Sequence, residues 1–108
     1  MGRVGHVQTF DHGDDGADVK VDTGGGALAT AEHFESPGDD SQPLPGDAVA
    51  LQPCTGAGRE QALGYCDPIG ANRKAAAGER RLYSRDSSGS AVAEVWCKAD
   101  GTIVLNVL

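Results

Sequence analysis

The chain has 108 residues, with nine Lys and Arg against sixteen Asp and Glu, and a net charge of −7 at neutral pH. That surplus of acid argues against a partner recognised through its phosphate backbone, which needs clustered cations, and no stretch approaches the ~20 consecutive apolar residues of a membrane-crossing helix. Two Phe, two Tyr and one Trp leave an apolar stock built mainly of Ala and Val, while sixteen Gly add chain entropy that folding must overcome. A lone copy would be marginally stable, and burial between subunits is one way to make up the deficit.

Helical periodicity is nearly absent, and short β-prone runs alternate with turn residues at the spacing of an all-β barrel or sandwich. Residues 3–10 form the first run, followed by the turn-rich DHGDDG at 11–16. Residues 18–22 form the second, with Val19 and Val21 on one face. Thr23-Gly24-Gly25-Gly26 breaks the chain before a third run over 27–34. Residues 35–46 carry Pro37, Pro43 and Pro45 and are predicted as a loop. Residues 47–52 alternate cleanly, with Val49 and Leu51 facing one way. After Thr55-Gly56-Ala57-Gly58 the chain returns over 61–67, with Leu63 and Tyr65 predicted inward. Residues 72–77 have helix-forming composition but are bounded by Gly70 and Gly78, which predicts a loop or a single turn.

The last thirty-one residues, GERRLYSRDSSGSAVAEVWCKADGTIVLNVL, contain three strand-like runs. Ala91, Ala93, Val95 and Cys97 share one phase, and Ile103, Leu105 and Val107 share another. A two-residue Asp100-Gly101 turn would send these sets to different faces. A three-residue loop, Ala99-Asp100-Gly101 with Gly101 left-handed, pairs Lys98 with Thr102 and aligns them. The ribbon then has one continuous apolar face, while Trp96 and Val104 fall on the other. An isolated two-stranded ribbon is marginal in water, so cover from the domain or from a partner is expected.

Chemistry-bearing motifs are weak. His6, His12 and His33 lack metal spacing. A site made of His12 with Asp11, Asp14 and Asp15 is conceivable, but the loop misses the calcium-binding pattern and reads as a solvated turn. Gly24-Gly25-Gly26 lacks the ending of a phosphate loop, and the serines of 84–90 lack a nucleophile elbow. Cys54, Cys66 and Cys97 give an odd count with no Cys-x-x-Cys pair. The start MGRVGHVQTF lacks the apolar segment of a secretory leader. Synthesis in a reducing cytoplasm with structural thiols is therefore expected, with a Cys54–Cys66 bridge left open as an alternative. Arg73, Lys74, Arg80, Arg81 and Arg85 form a basic cluster with Tyr83 as its single aromatic, too little for a base-stacking platform. The cluster is expected to meet acidic groups of a neighbouring subunit or of the chain's own N-terminal half.

Pro45-Gly46-Asp47 opening the strand AVALQP, then QALGYCD, a loop and GERRLYSRDSSGSAVAEVWCKADGTIVLNV occur in an order similar to that of a known family. Gly78-Glu79, Tyr83-Ser84, Asp86, Gly89, Val92, Lys98, Asp100-Gly101 and Ile103 carry the likeness, which spans about residues 45–108. The chain resembles the Mu-type baseplate spike proteins of contractile-tailed bacteriophages. The resemblance implies an OB-like Greek-key barrel over 1–77, then a C-terminal β-ribbon over 78–108 that intertwines in a homotrimer as a short triple-stranded β-helix. It implies a trimer interface of Val92, Val95, Trp96, Ile103, Leu105 and Val107, with Ile103, Leu105 and Val107 lining the threefold core. The family's longer members continue into a metal-bearing tip with a His-x-His pair. None occurs here, which implies a shortened spike or a hub piece onto which a separate tip protein docks.

The expected function is structural and non-enzymatic: the central spike or hub tip below a phage tail tube, acting in attachment to or penetration of the host envelope. The protein would be made in the host cytoplasm and carried in the virion. Its expected partners are copies of itself and other baseplate hub and tail-tube proteins. No nucleic acid, stable membrane insertion, metal or cofactor is expected. The rivals are a monomeric OB-like module for nucleic acid or saccharide and, more remotely, a hydrolase built on the acidic loop.

Overall fold

The computed structural model describes residues 2–13, 16–53 and 60–108. Eight strands are present among the described residues: β1 (Arg3–Gly13), β2 (Gly16–Gly24), β3 (Ala27–His33), β4 (Ala48–Pro53), β5 (Glu60–Cys66), β6 (Arg80–Arg85), β7 (Ala91–Cys97) and β8 (Ile103–Val107). One 3-10 turn, Gly70–Asn72, meets the 72–77 segment predicted to be a loop or a single turn only at Asn72, and residues 73–77 contain no helix or strand. The fold is all-β among the described residues.

The first five strands form a closed barrel in the order β1-β2-β3-β5-β4. β1, β2 and β3 run as an antiparallel meander. β5 then pairs parallel to β3 and antiparallel to β4, and β4 closes onto the first half of β1. This order is consistent with a small OB-like barrel. Closure works because β1 serves two partners: residues 3–6 pair with β4 and residues 6–13 with β2. A bulge between Val7 and Thr9 bends the strand where it changes partner. The extra residue also switches the inward phase, so Gly5 and Val7 face the core before it and Phe10 packs against the core after it. Gly5 has a steric reason: a Cβ there would stand 2.4 Å from Val21 Cγ1 and 2.7 Å from the Asp22 carbonyl oxygen.

Val7, Val19, Val21, Ala31, Val49, Leu51 and Ala62 form the barrel core. The predicted pairs Val19/Val21 and Val49/Leu51 are buried. Leu63 is a correction. Ala50 pairs with Gly64 and Leu51 with Ala62, so Leu63 is the looped-out residue of a bulge and is exposed, while Ala62 takes the inward place. The proline-bearing stretch between β3 and β4 contains no strand or helix. It is fastened to β1 by Val7 N–H donating to Asp47 O at 2.8 Å and Gly46 N–H to Val7 O at 2.8 Å. Asp47, expected to open β4, instead folds its buried carboxylate back to accept Leu44 N–H at 2.9 Å. The Asp14, Asp15 and Cys54 positions, and with them the acidic-loop ion site and the Cys54–Cys66 bridge, lie outside the described residues.

The chain divides into two compact units, Met1–Pro68 and Ile69–Leu108. The boundary expected at 77/78 thus falls earlier. Residues 69–77 join the second unit because the Asn72 amide is built into it: Nδ2 donates to Gly89 O at 2.7 Å, and Oδ1 accepts Ala91 N–H at 3.3 Å. The second unit is a three-stranded antiparallel sheet in the order β6-β7-β8. Its β7–β8 turn has the predicted form. Lys98 N–H donates to Thr102 O at 2.9 Å, Gly101 N–H to Lys98 O at 3.0 Å, and Gly101 has φ +89°. Cys97 pairs with Ile103, Val95 with Leu105 and Ala93 with Val107, so the two apolar sets are aligned.

Candidate functional site

Strand alternation gives the C-terminal sheet two unlike faces. One carries Leu82, Val95 and Leu105 in a single cross-strand row, since Leu82 pairs with Val95 and Val95 with Leu105. Ala93, Val107, Cys97 and Ile103 flank that row. Within the chain this face is bare: Ile103 is 69% exposed, Leu105 73% and Val107 94%. Contiguous apolar surface of this kind marks an interaction site. The depression at its β6–β7 seam, lined by Leu82, Tyr83, Ser84, Ala93, Glu94 and Val95, is open and measures about 260 Å3. Ligand pockets usually enclose roughly 300–1,000 Å3. The face is shaped for another surface more than for a small molecule.

The opposite face is polar and held together largely by the chain's own groups, though Arg81 Nη2 is buried without a hydrogen-bond partner. Arg81 and Glu94 side chains are only 3% and 4% exposed, with Arg81 Nε donating to Glu94 Oε1 at 2.6 Å. Asn106 Nδ2 donates to Glu94 Oε2 at 2.9 Å, and Arg81 Nη1 donates to the Asn72 carbonyl. The hydrogen bond from Asn106, and then the Arg81 guanidinium, hold the Glu94 carboxyl below its usual range. The Arg81 guanidinium lies 4.7 Å from the Tyr83 ring centroid and 5.4 Å from that of Trp96, and Lys98 Nζ lies 4.6 Å from the Trp96 ring. Trp96 Nε1–H donates to Glu79 Oε1 at 3.0 Å, and Glu79 Oε2 accepts Ala99 N–H at 3.0 Å. The backbone N–H groups of Ala76 and Ala99 keep the Glu79 carboxyl low as well.

The residues expected at a trimer interface are therefore divided. Val95, Ile103, Leu105 and Val107 stand together on the bare face. Trp96 belongs to the polar face and is half-buried. Val92 sits at the β6–β7 irregularity, its carbonyl accepting Leu108 N–H at 2.9 Å. Leu82 joins the bare face and was missed, although the alternation Arg80, Leu82, Ser84 contains the signal. The basic cluster is divided too: Arg80 is exposed while Arg81 turns inward to Glu94, a partner in its own sheet.

No family model, curated protein or solved structure matches this chain. The likeness to phage baseplate spikes thus rests on the residues quoted for it.

The barrel holds one further cluster. His33 Nδ1 lies 2.7 Å from the Tyr65 hydroxyl and Nε2 lies 3.2 Å from Glu35 Oε1, while Phe10 meets the imidazole edge-on at 5.0 Å. Glu35 Oε1 also accepts Ser41 N–H at 2.9 Å and the Ser41 hydroxyl, and the Ser41 hydroxyl most strongly holds that carboxyl low. Burial, with the Glu35 charge second, pushes the Tyr65 phenol up to about 12. A phenol held that high stays protonated at neutral pH. The cluster fastens the chain after β3 to the barrel. Among the described residues no three His, Cys, Asp or Glu side chains are grouped to hold a metal.

Proposed function

We propose that this protein is a structural component of a contractile phage tail baseplate, a homotrimer forming the central spike or hub tip below the tail tube. Its work is mechanical: interlocked strands make a stiff body that attaches to or enters the host envelope. Other hub and tail-tube proteins, and a separate tip protein, are its partners in the virion. One observation carries the reading, the uncovered apolar face of Leu82, Val95, Ile103, Leu105 and Val107 on a sheet whose other face is occupied by the Arg81–Glu94–Asn106 network. The closed barrel ahead of it and the motif residues from Gly78 to Ile103 support the phage assignment.

Sedimentation equilibrium of the full chain tests it. A mass three times that of one chain, persisting on dilution, is the expected result. A single-chain mass of 11.1 kDa overturns the trimer and returns the monomeric binding module.

A further inference from the structure

The C-terminal unit is built inside out. No hydrophobic residue of Ile69–Leu108 is buried, while Asn72 and Glu94 are, together with the side chain of Arg81. Apolar burial is the main force opposing chain entropy. A buried ion pair contributes little net stability in its place. A unit of about 40 residues without an apolar core does not ordinarily hold a fold by itself. The barrel has its own core. The two units thus stand at opposite ends of a scale of self-sufficiency.

We propose that residues 69–108 become ordered only when further copies of the chain cover their apolar face, so that assembly is a folding step for this unit while the barrel folds alone. The proposal rests on the self-association reading above. Charge favours a second copy as the occupant. The chain's acid surplus lies in residues 1–68, whereas residues 69–108 carry six Lys and Arg against four Asp and Glu, so the sheet units of two copies meet with little charge repulsion. The row Leu82, Val95, Leu105 and its neighbours Ile103 and Val107 bring no charge to the contact, with Arg80 standing at the β6 end of the same face, and an apolar row of this kind is complementary to itself.

Trp96 is the single tryptophan and its hydrogen bond to Glu79 lies within this unit, so its emission reports on the sheet alone. The full chain is diluted stepwise while mass is followed by sedimentation velocity and Trp96 by fluorescence, with hydrogen exchange read at both ends of the series. Over the range in which the oligomer falls to single chains, Trp96 emission should shift to that of the denaturant-unfolded protein. Amide protection in β6–β8 should be lost, and that of Val19, Val21 and Val49 kept. Full-length Leu105→Asp, held as a single chain at all concentrations, should give the same state. Leu105 is exposed in the single chain, so an aspartate there would hardly disturb a sheet that were stable alone. A single chain with native Trp96 emission and protected β7 amides overturns the proposal. So does simultaneous loss of barrel protection, which would make the chain one folding unit. A wild-type protein that stays single-chain at every concentration overturns the assembly reading instead, and native Trp96 emission in that monomer overturns this inference as well.

Discussion

The barrel and the C-terminal sheet use the same alternation of strand residues to opposite effect. In the barrel, closure turns one face of every strand inward, and Val7, Val19, Val21, Val49 and Leu51 lose nearly all contact with water. The sheet has only three strands and two open edges, β6 and β8. It cannot close, so its apolar face stays outside while Arg81, Glu94 and Asn106 fill the other side. Closure makes a core from small Val and Ala side chains. Without closure, larger Leu and Ile side chains stay exposed.

The strongest way to break that contrast is to remove residues 102–108, which deletes β8 and most of the bare face. Self-association should be abolished, with the mass by sedimentation equilibrium dropping to a single chain at every concentration. Persistence of full-strength assembly would assign the interface to another surface. In the barrel the matching change is Leu51→Ala, which leaves a cavity in a closed core and should cost about 3 kcal/mol. Thermal unfolding followed by far-ultraviolet circular dichroism reads that loss. The Trp96 emission transition should stay where it is in the wild-type protein, and a matching downward shift would mean that the two units share one core.

Acid should separate the units without mutation. Glu79, Asp86, Glu94 and Asp100 in the sheet unit are all held below their ordinary values by hydrogen bonds, against Glu35 and Glu60 among the described barrel residues. A carboxyl whose folded-state pKa lies below its unfolded value, about 3.9 for Asp and 4.3 for Glu, stabilises the fold fully above that unfolded value. The contribution is lost as pH falls through the depressed one. The sheet should therefore loosen below about pH 4, ahead of the barrel. Glu94 should dominate because it is enclosed, whereas water and salt screen the exposed Asp86 and Asp100. Trp96 emission followed from neutral to strongly acid solution checks this, and Glu94→Gln should move the midpoint.

The sequence was most legible where local chemistry and hydrophobic phase agree. The Ala99-Asp100-Gly101 loop followed from the need to align Val95 and Cys97 with Ile103 and Leu105, and the ladder has that register. Val19, Val21, Val49 and Leu51 were readable for the same reason. Leu63 was misread because its bulge is set by the partner strand β4, which leaves no mark in β5. The parallel β3–β5 pairing and the His33–Tyr65 contact join residues far apart in the chain and have no local signature. Asn72 was taken as linker because its amide partners, Gly89 and Ala91, lie across the sheet unit. The bare face was readable as a pattern, and Leu82 would have completed it had β6 been placed in register with β7.

The smallest change tests the most detailed claim. Gly101 sits at φ +89° with open space where a Cβ would stand, so Gly101→Ala meets no neighbour and acts through the backbone alone. Holding alanine in the left-handed region costs roughly 1–2 kcal/mol. In a sheet stable by itself, that cost would lower the sheet's own melting point and leave the oligomer mass unchanged. Where ordering and assembly are one step, each of three copies bears it. Association should then weaken by about tenfold per subunit, since about 1.4 kcal/mol corresponds to a factor of ten. Because that factor enters the overall trimer constant three times, a substitution touching nothing should produce a steep, measurable shift in the dilution midpoint.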